Sequence, residues 1–431
     1  MTDPRYLAVK LLDKTFAGGS YSNLQLDSGL KGSDLDDRGR KLCSALYYGV
    51  IERKLTLDYI IGGLSSRPIG KLDGIILNIL RCGVYQIMYM DSVPDNAAVN
   101  ESVALAKKFR KTSASGMVNA VLRNFIRGGK ELKLPKDAVK AASVKYSAPV
   151  ELVKSLTDDY GREAAENFLA ASLEKSVTFL RLNPNRCNEG EFLTALGGIE
   201  AENLFDNCYT VKSGDVTATE AFRKGFFHVQ GLASQLCCMS LAPTEEDTVL
   251  DICAAPGGKT FTMAELMNGK GQIYAFDLHE KRAELIRKGA ERLGLTNIKA
   301  AAGDATVFDP ELPKFTKILC DVPCSGLGVI GSKPEIKYKD ISDFAGLPDI
   351  QYKIVCNALN YLEAGGTLVY STCTVRKAEN EAVCERLMRE HPELEAALLP
   401  EMLGESFGST ATLMPPKFGS GFFISKFRKV R

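Results

Sequence analysis

The sequence predicts a multidomain chain: an all-α N-terminal third, a small α/β connector, and a C-terminal α/β domain built on a doubly wound parallel sheet. Three observations carry this. From Thr248 to Asp321 short apolar runs close on an acid and alternate with helical segments, the pattern of βαβ units. Residues 1–130 place apolar side chains at three- and four-residue spacing, the period of helices packed on one face. The length of 431 residues also exceeds one core, since single cores rarely grow beyond ~250–300 residues.

In the first third, the spacing predicts helices over Tyr6–Phe16, Asp36–Glu52, Leu55–Gly62, Ile75–Met90 and Ala98–Phe109. Gly18–Gly19, Gly62–Gly63 and Pro94 read as breaks, and Asn96 as a candidate cap. Residues 1–130 hold 19 Lys and Arg against 12 Asp and Glu, leaving the remainder negative in a chain of net charge +1. A positive third joined to a mildly negative remainder points to a polyanion as partner. Lys107, Lys108, Arg110 and Lys111 form a basic cluster beside Asn119, Arg123 and Asn124; a solvated helix face or scaffold packing is the alternative.

A linker around Lys130–Asp137, with Gly128, Gly129 and Pro135, separates this third from the connector. There Ser143–Leu173 reads as two or three helices, Val177–Leu182 and Cys208–Val211 as strands, and Phe226–Val229 as the entry to the last domain. The expected domains are 1–130, 131–230 and 231–431. No internal repeat or low-complexity tract stands out.

The last domain is organised around Thr248–Thr260, TVLDICAAPGGKT. An apolar strand ends at Asp251, and Pro256, Gly257 and Gly258 form a tight turn before a helix whose N–H groups and positive dipole end face the turn. A Walker A phosphate loop is the rival, since Gly258–Lys259–Thr260 supplies its end. That motif needs glycine where Cys253 stands. Three more runs end on acids: Gln272–Phe276 on Asp277, Ile298–Gly303 on Asp304, and Lys317–Cys320 on Asp321. In an open parallel sheet the ligand sits at the carboxyl ends of the strands, so these acids converge, and Asp277 is placed to hold a ribose. The series points to a nucleoside-containing cofactor.

Cysteine appears at two further strand ends, in DVPCSG (Asp321–Gly326) and TLVYSTCT (Thr367–Thr374). With CAAPGGK, these segments resemble in order and spacing the S-adenosylmethionine-dependent RNA cytosine-5 methyltransferases of the Sun/NOL/NOP family. Phe422–Ile424 resembles that family's closing strand, and Phe179–Asn183 (FLRLN) its connector. Pro94–Phe109 with Val118–Arg123 resembles the NusB RNA-binding domain. The resemblance covers nearly the whole chain. It implies a NusB-like helical domain, a small α/β connector and a Rossmann-like methyltransferase domain acting on RNA, small-subunit ribosomal RNA above other RNAs.

Carbon 5 of cytosine is a poor nucleophile, so a thiolate must add to carbon 6 before carbon 5 can take a methyl group. On the residues alone, Cys324 and Cys373 both qualify, because their turns follow neighbouring strands. The resemblance implies that Cys373 attacks, that Cys324 assists release, and that Asp321, if protonated or bridging, lies near the target base. It also places S-adenosylmethionine on the turn Cys253, Ala254, Ala255, Pro256, Gly257, Gly258 and Lys259, with Asp277 on its ribose, Asp304 at its adenine edge, and Asp321 nearby. Full ionisation of a thiol of ordinary pKa gains only ~2 kcal/mol, whereas positioning contributes ~7–11 kcal/mol. Geometry should therefore matter more than acidity. Cys253, Cys320 and Cys356 are expected to be chemically inert.

The chain departs from the family's pattern at Val229–Gln230–Gly231, at Gly331–Ser332 and in Phe418–Phe423 (FGSGFF). These touch RNA choice and the base pocket rather than cofactor or thiols. With 12 cysteines but no CxxC and only three histidines, no metal site is expected and reduced thiols fit best. No apolar run approaches ~18 residues, so a cytoplasmic protein without membrane contact is expected; it is also expected to be a monomer. A non-catalytic RNA-binding assembly factor, a methyltransferase of tRNA or another rRNA site, and a nucleoside-triphosphate hydrolase are the alternatives.

Overall fold

Apolar residues at helical spacing fold the first part of the chain into helices Pro4–Gly18, Ser22–Lys31, Asp37–Glu52, Lys54–Leu64, Gly74–Tyr89, Asp95–Lys108 and Ser115–Arg127. The computed structural model describes residues 3–18, 22–174 and 177–431. Gly19, expected to help break the first helix, lies outside them. Asp36 caps the third helix by accepting from the Gly39 N–H. Helix Asp95–Lys108 starts directly after Pro94, so Asn96 lies inside its first turn and is not the cap. Gly62 and Gly63 fall in the last turn of Lys54–Leu64 instead of ending it earlier. Ser22–Lys31 buries only Ser22 and Leu26, too thin a stripe to read from the sequence.

The chain divides into two units, Met1–Leu173 with Lys333–Lys339, and Glu174–Ser332 with Asp340–Arg431. Residue 130 lies in the first unit and residue 230 in the second. Helices Ala138–Tyr146, Val150–Tyr160 and Arg162–Ala171, expected in the connector, pack in the first unit. There Thr56 Oγ1 donates to the Val144 carbonyl at 2.6 Å and Leu55 N to Ser147 Oγ at 3.0 Å. The first unit also takes in the short turn Pro334–Tyr338 from far along the chain. Tyr338 donates its hydroxyl to the Ile51 carbonyl at 2.7 Å, and Lys337 Nζ donates to the Glu52 carbonyl at 2.7 Å. Burial lowers the Lys337 pKa to about 7, because a desolvated ammonium is costly.

In this unit the basic cluster is partly neutralised. Lys108 pairs with Asp3 at 3.4 Å and Lys111 with Asp73 at 2.5 Å, whereas Lys107 and Arg110 are exposed.

The second unit holds two sheets. Strands β1 (Thr178–Leu182), β2 (Ala201–Phe205), β3 (Cys208–Val211) and β4 (Phe227–Val229) form an antiparallel sheet of order β2-β3-β1-β4. β4, expected as the entry to the last domain, completes this sheet by pairing Arg181 with His228. Strands β5 (Thr248–Asp251), β6 (Gln272–Asp277), β7 (Ile298–Ala302), β8 (Phe315–Asp321), β9 (Leu362–Thr372), β10 (Leu394–Ala396), β11 (Thr410–Leu413) and β12 (Phe422–Lys429) form the large sheet. Its order is β10-β12-β9-β8-β5-β6-β7, with β11 on β12. β5 to β9 run parallel and β12 runs antiparallel to β9, a Rossmann-like sheet with an antiparallel edge. Leu236, Phe261 and Ile286 pack from helices on one face, and Ile354 and Val383 from helices on the other. Buried Arg181 reaches Asp206 at 2.7 Å and lies 3.5 Å from Glu265, joining the small sheet to the helix Gly258–Leu266. No helix among the described residues is long and apolar enough to cross a membrane.

Candidate active site

The turn after β5 is shaped by close backbone approach. Gly257 has φ +108°, and a Cβ there would lie 2.4 Å from the Phe261 ring, so only glycine fits. Ala254 N donates to the Phe276 carbonyl at 2.7 Å, tying the turn to β6. Arg282 donates to the Ala255 carbonyl at 2.8 Å and lies 3.4 Å from Asp277 Oδ2, so it links the turn to the acid ending β6. Asp277 is 5% exposed. Asp251 accepts from Thr260 Oγ1 at 2.7 Å through Oδ2, while its buried Oδ1 has no hydrogen-bond partner. Burial pushes its carboxyl up to about 7, the Thr260 bond opposing and the Asp321 charge adding.

Asp304 stands apart from these acids. Its carboxylate is exposed, accepts from Thr306 N and Oγ1 at 2.9 and 2.7 Å, and is held below its ordinary pKa by those bonds. It lines a cleft of about 390 Å³ with Ile252, Phe276, Ala305 and Phe308.

Lys259 of the turn points to the next strand end. Its Nζ lies 2.7 Å from Asp321 Oδ2, and Ser371 Oγ donates to Asp321 Oδ1 at 2.8 Å. Burial alone would lower the Lys259 pKa, but the Asp321 carboxylate, with Cys237 and Cys238, leaves it raised. Asp321 is thus a bridging carboxylate. With Lys259 on Asp321 and Thr260 on Asp251, the phosphate-loop reading loses both of its side chains.

β8 and β9 are parallel neighbours with Asp321 opposite Ser371, which sets the DVPCSG and STCT turns side by side. The sulfurs of Cys324 and Cys373 are 3.2 Å apart. Ser325 and Thr374 hydroxyls lie 2.7 Å apart, and Gly328 N donates to the Cys373 carbonyl at 2.9 Å. A Cβ on Gly328 would fall 2.0 Å from the Gly421 carbonyl oxygen and 2.8 Å from that of Cys373, so the chain packs there only around glycine. The hydrogen bond to Cys373 holds the Cys324 thiol well above the ordinary range; burial and the charges of Cys373, Glu379 and Asp321 act the same way. Burial also pushes up the thiols of Cys253, Cys320 and Cys356. Among the described residues no group of three or more His, Cys, Asp or Glu side chains is set to hold a metal ion.

Sequence reasoning did not single out Ser371, Arg282, Gln351, Glu379 or Asn380. Gln351 left a signal: it is a fully buried amide on the helix face that carries core residues Ile354, Val355 and Ala358.

Residues 238–428 match the family described as 16S rRNA methyltransferase RsmB/F, and residues 2–127 match the NusB family. The chain is 37% identical over 445 residues to the probable ribosomal RNA small subunit methyltransferase B of Bacillus subtilis, with 99% of each covered. It is 35% identical to the probable enzyme of the same description from Synechocystis, over 91% of this chain and 90% of that one. Among solved structures, the methyltransferase homolog protein from Pyrococcus horikoshii is 26% identical with a TM-score of 0.60, covering 68% of this chain and 100% of that chain. NSun6 from Pyrococcus horikoshii with SFG is 23% identical with a TM-score of 0.61, covering 66% and 98%.

Proposed function

The chain belongs to the RsmB/F family of 16S rRNA methyltransferases, and from that premise we propose that it methylates carbon 5 of a cytosine in small-subunit ribosomal RNA through a covalent adduct on Cys373. The observation that carries this reading is the pair of sulfurs 3.2 Å apart, beside a carboxylate–ammonium pair at the carboxyl ends of adjacent parallel strands.

The residues present fit S-adenosylmethionine as methyl donor. The unpartnered Oδ1 of Asp251 is an acceptor for its ammonium group, the Cys253–Lys259 turn offers backbone to its methionine end, Asp277 suits its ribose hydroxyls, and Asp304 its adenine edge. A fold relative carries SFG, an analogue of it. When bound, it supplies an electrophilic methyl group on a sulfonium.

The chain's own residues do the rest. The Cys373 thiolate forms a bond to carbon 6 and pushes electrons into the ring. Lys259, fixed by Asp321, presents a preorganised positive charge where negative charge develops on the base. Carbon 5 takes the methyl, and a water molecule acting as base then removes its proton; the electron pair of that C–H bond restores the ring double bond as the carbon–sulfur bond breaks. Cys324, hydrogen-bonded to the departing sulfur, stabilises Cys373 as a thiolate and so assists release. The helical unit is the RNA-holding part in this reading, supported by exposed Lys107 and Arg110 and by the NusB match.

Bisulfite sequencing of total RNA from cells with and without the protein tests the proposal. One protected cytosine of small-subunit ribosomal RNA should become convertible when the protein is absent. An identical conversion map in both cells would refute it.

A further inference from the structure

We propose that Glu379 and Asn380, adjacent in sequence, are positioning residues that hold both thiol turns at once, Glu379 gripping the turn of Cys324 and Asn380 the turn of Cys373. This rests on the covalent reading above. Glu379 is fully buried. Its Oε2 accepts from Ser325 N at 2.8 Å and from Gln351 Nε2 at 3.1 Å, and the same Gln351 amide donates to the Pro323 carbonyl at 3.0 Å. The residues immediately before and after Cys324 are thereby fixed. Asn380 repeats the arrangement on the other strand end. Its Oδ1 accepts from Thr372 Oγ1 at 2.6 Å and its Nδ2 donates to the Thr374 carbonyl at 3.1 Å, gripping Cys373 on both sides.

Two features set this apart from ordinary packing. A carboxylate is costly to bury, yet Glu379 is placed where its donors flank a thiol, with Arg376 at 3.2 Å on the other oxygen and the Tyr370 hydroxyl on its backbone carbonyl. Its charge also acts on the Cys324 proton. The groups facing that thiol are Cys373, Glu379, Asp321 and Tyr370, with Arg376 behind Glu379. Of these, Glu379 is the one acid that also touches the Cys324 turn through a backbone hydrogen bond. The dipeptide therefore sets the separation of the sulfurs and helps keep the proton on Cys324 until turnover.

The test uses the full chain carrying Glu379→Gln, with exposed Glu385→Gln as a control. Alkylation of Cys324 by iodoacetamide is followed by mass spectrometry across pH, and methyl transfer is measured separately. Glu379→Gln should move the Cys324 profile to lower pH and cut kcat by ~10²-fold, the effect of a thiol displaced by about 1 Å, with KM for S-adenosylmethionine unchanged. Glu385→Gln should match wild type. If Glu379→Gln does not fold, Gln351→Met, which releases the Pro323 carbonyl, one bond to Glu379 and the Tyr370 hydroxyl, should lower kcat in the same direction. A Cys324 profile and kcat both equal to wild type would overturn the proposal. Alkylation needs neither RNA nor transfer, so a wild-type protein that makes no 5-methylcytosine sinks the functional reading while the alkylation comparison still judges Glu379.

Discussion

The Cys324 sulfur lies 3.2 Å from that of Cys373, across the seam between β8 and β9. The hydrogen bond to Cys373, burial and nearby negative charge hold the Cys324 thiol well above its ordinary range.

The roles proposed for the two thiols predict different failures. Cys373→Ala should abolish methylation and form no covalent complex with RNA, since no thiolate remains to add to carbon 6. Cys324→Ala should still add and transfer, then stall as a protein–RNA adduct visible on a denaturing gel. The opposite pattern, with the adduct in the Cys373 variant, would exchange the two roles.

Asp277→Ala should weaken S-adenosylmethionine binding by ~2–4 kcal/mol, the loss of two charge-assisted hydrogen bonds at a buried site. Isothermal titration measures it. An affinity equal to wild type would remove Asp277 from the cofactor site.

Lys259→Met leaves Asp321 its hydrogen bond from the Ser371 hydroxyl at 2.8 Å and takes away the charge proposed to face the base. Single-turnover methyl transfer should slow by ~10²–10³-fold, the usual cost of losing one preorganised electrostatic group. A rate within a fewfold of wild type would move the stabilising charge elsewhere.

Asp251 links the turn to pH. Its carboxyl rises from an ordinary 3.8 to about 7 on folding, so the folded state holds the proton more tightly than the unfolded chain. The stability this contributes is whole below pH 3.8 and is lost as pH rises through about 7. Asn carries no such proton. Between pH 4 and pH 8 the unfolding free energy of Asp251→Asn should therefore gain on wild type by roughly a few kcal/mol. Parallel pH dependences in denaturant titrations would contradict this.

Lys107→Glu with Arg110→Glu should weaken RNA binding and flatten the plot of log affinity against log salt by about one unit per lost phosphate contact. Cofactor binding should not change. An unaltered slope would make the helical unit a scaffold.

The fold class was legible because it is written locally: acids ending apolar runs mark β5, β6 and β8, and helical spacing marks the first third. The motif cysteines were legible for the same reason, each lying just past its own strand. What the sequence did not disclose depends on register and packing. Ser371 reaches Asp321 because β8 and β9 pair in one particular register, and Lys259 reaches Asp321 across the sheet from a turn that looks devoted to the cofactor. The helices of Ala138–Ala171 carry ordinary amphipathic stripes, which do not say which unit they cover. β4 looks like the start of a new domain because only its pairing with β1 shows that it closes the smaller sheet.

Pro334–Tyr338 gives the order of synthesis a consequence. Residues up to Leu173 leave the ribosome first, yet the Ile51 and Glu52 carbonyls receive their Tyr338 and Lys337 donors only after residue 339 has been made. At elongation rates of roughly 5–20 residues per second that delay is on the order of ten seconds or more. Through it the nascent helical unit carries an unfilled seat, its carbonyls left to water until the chain's own later segment arrives.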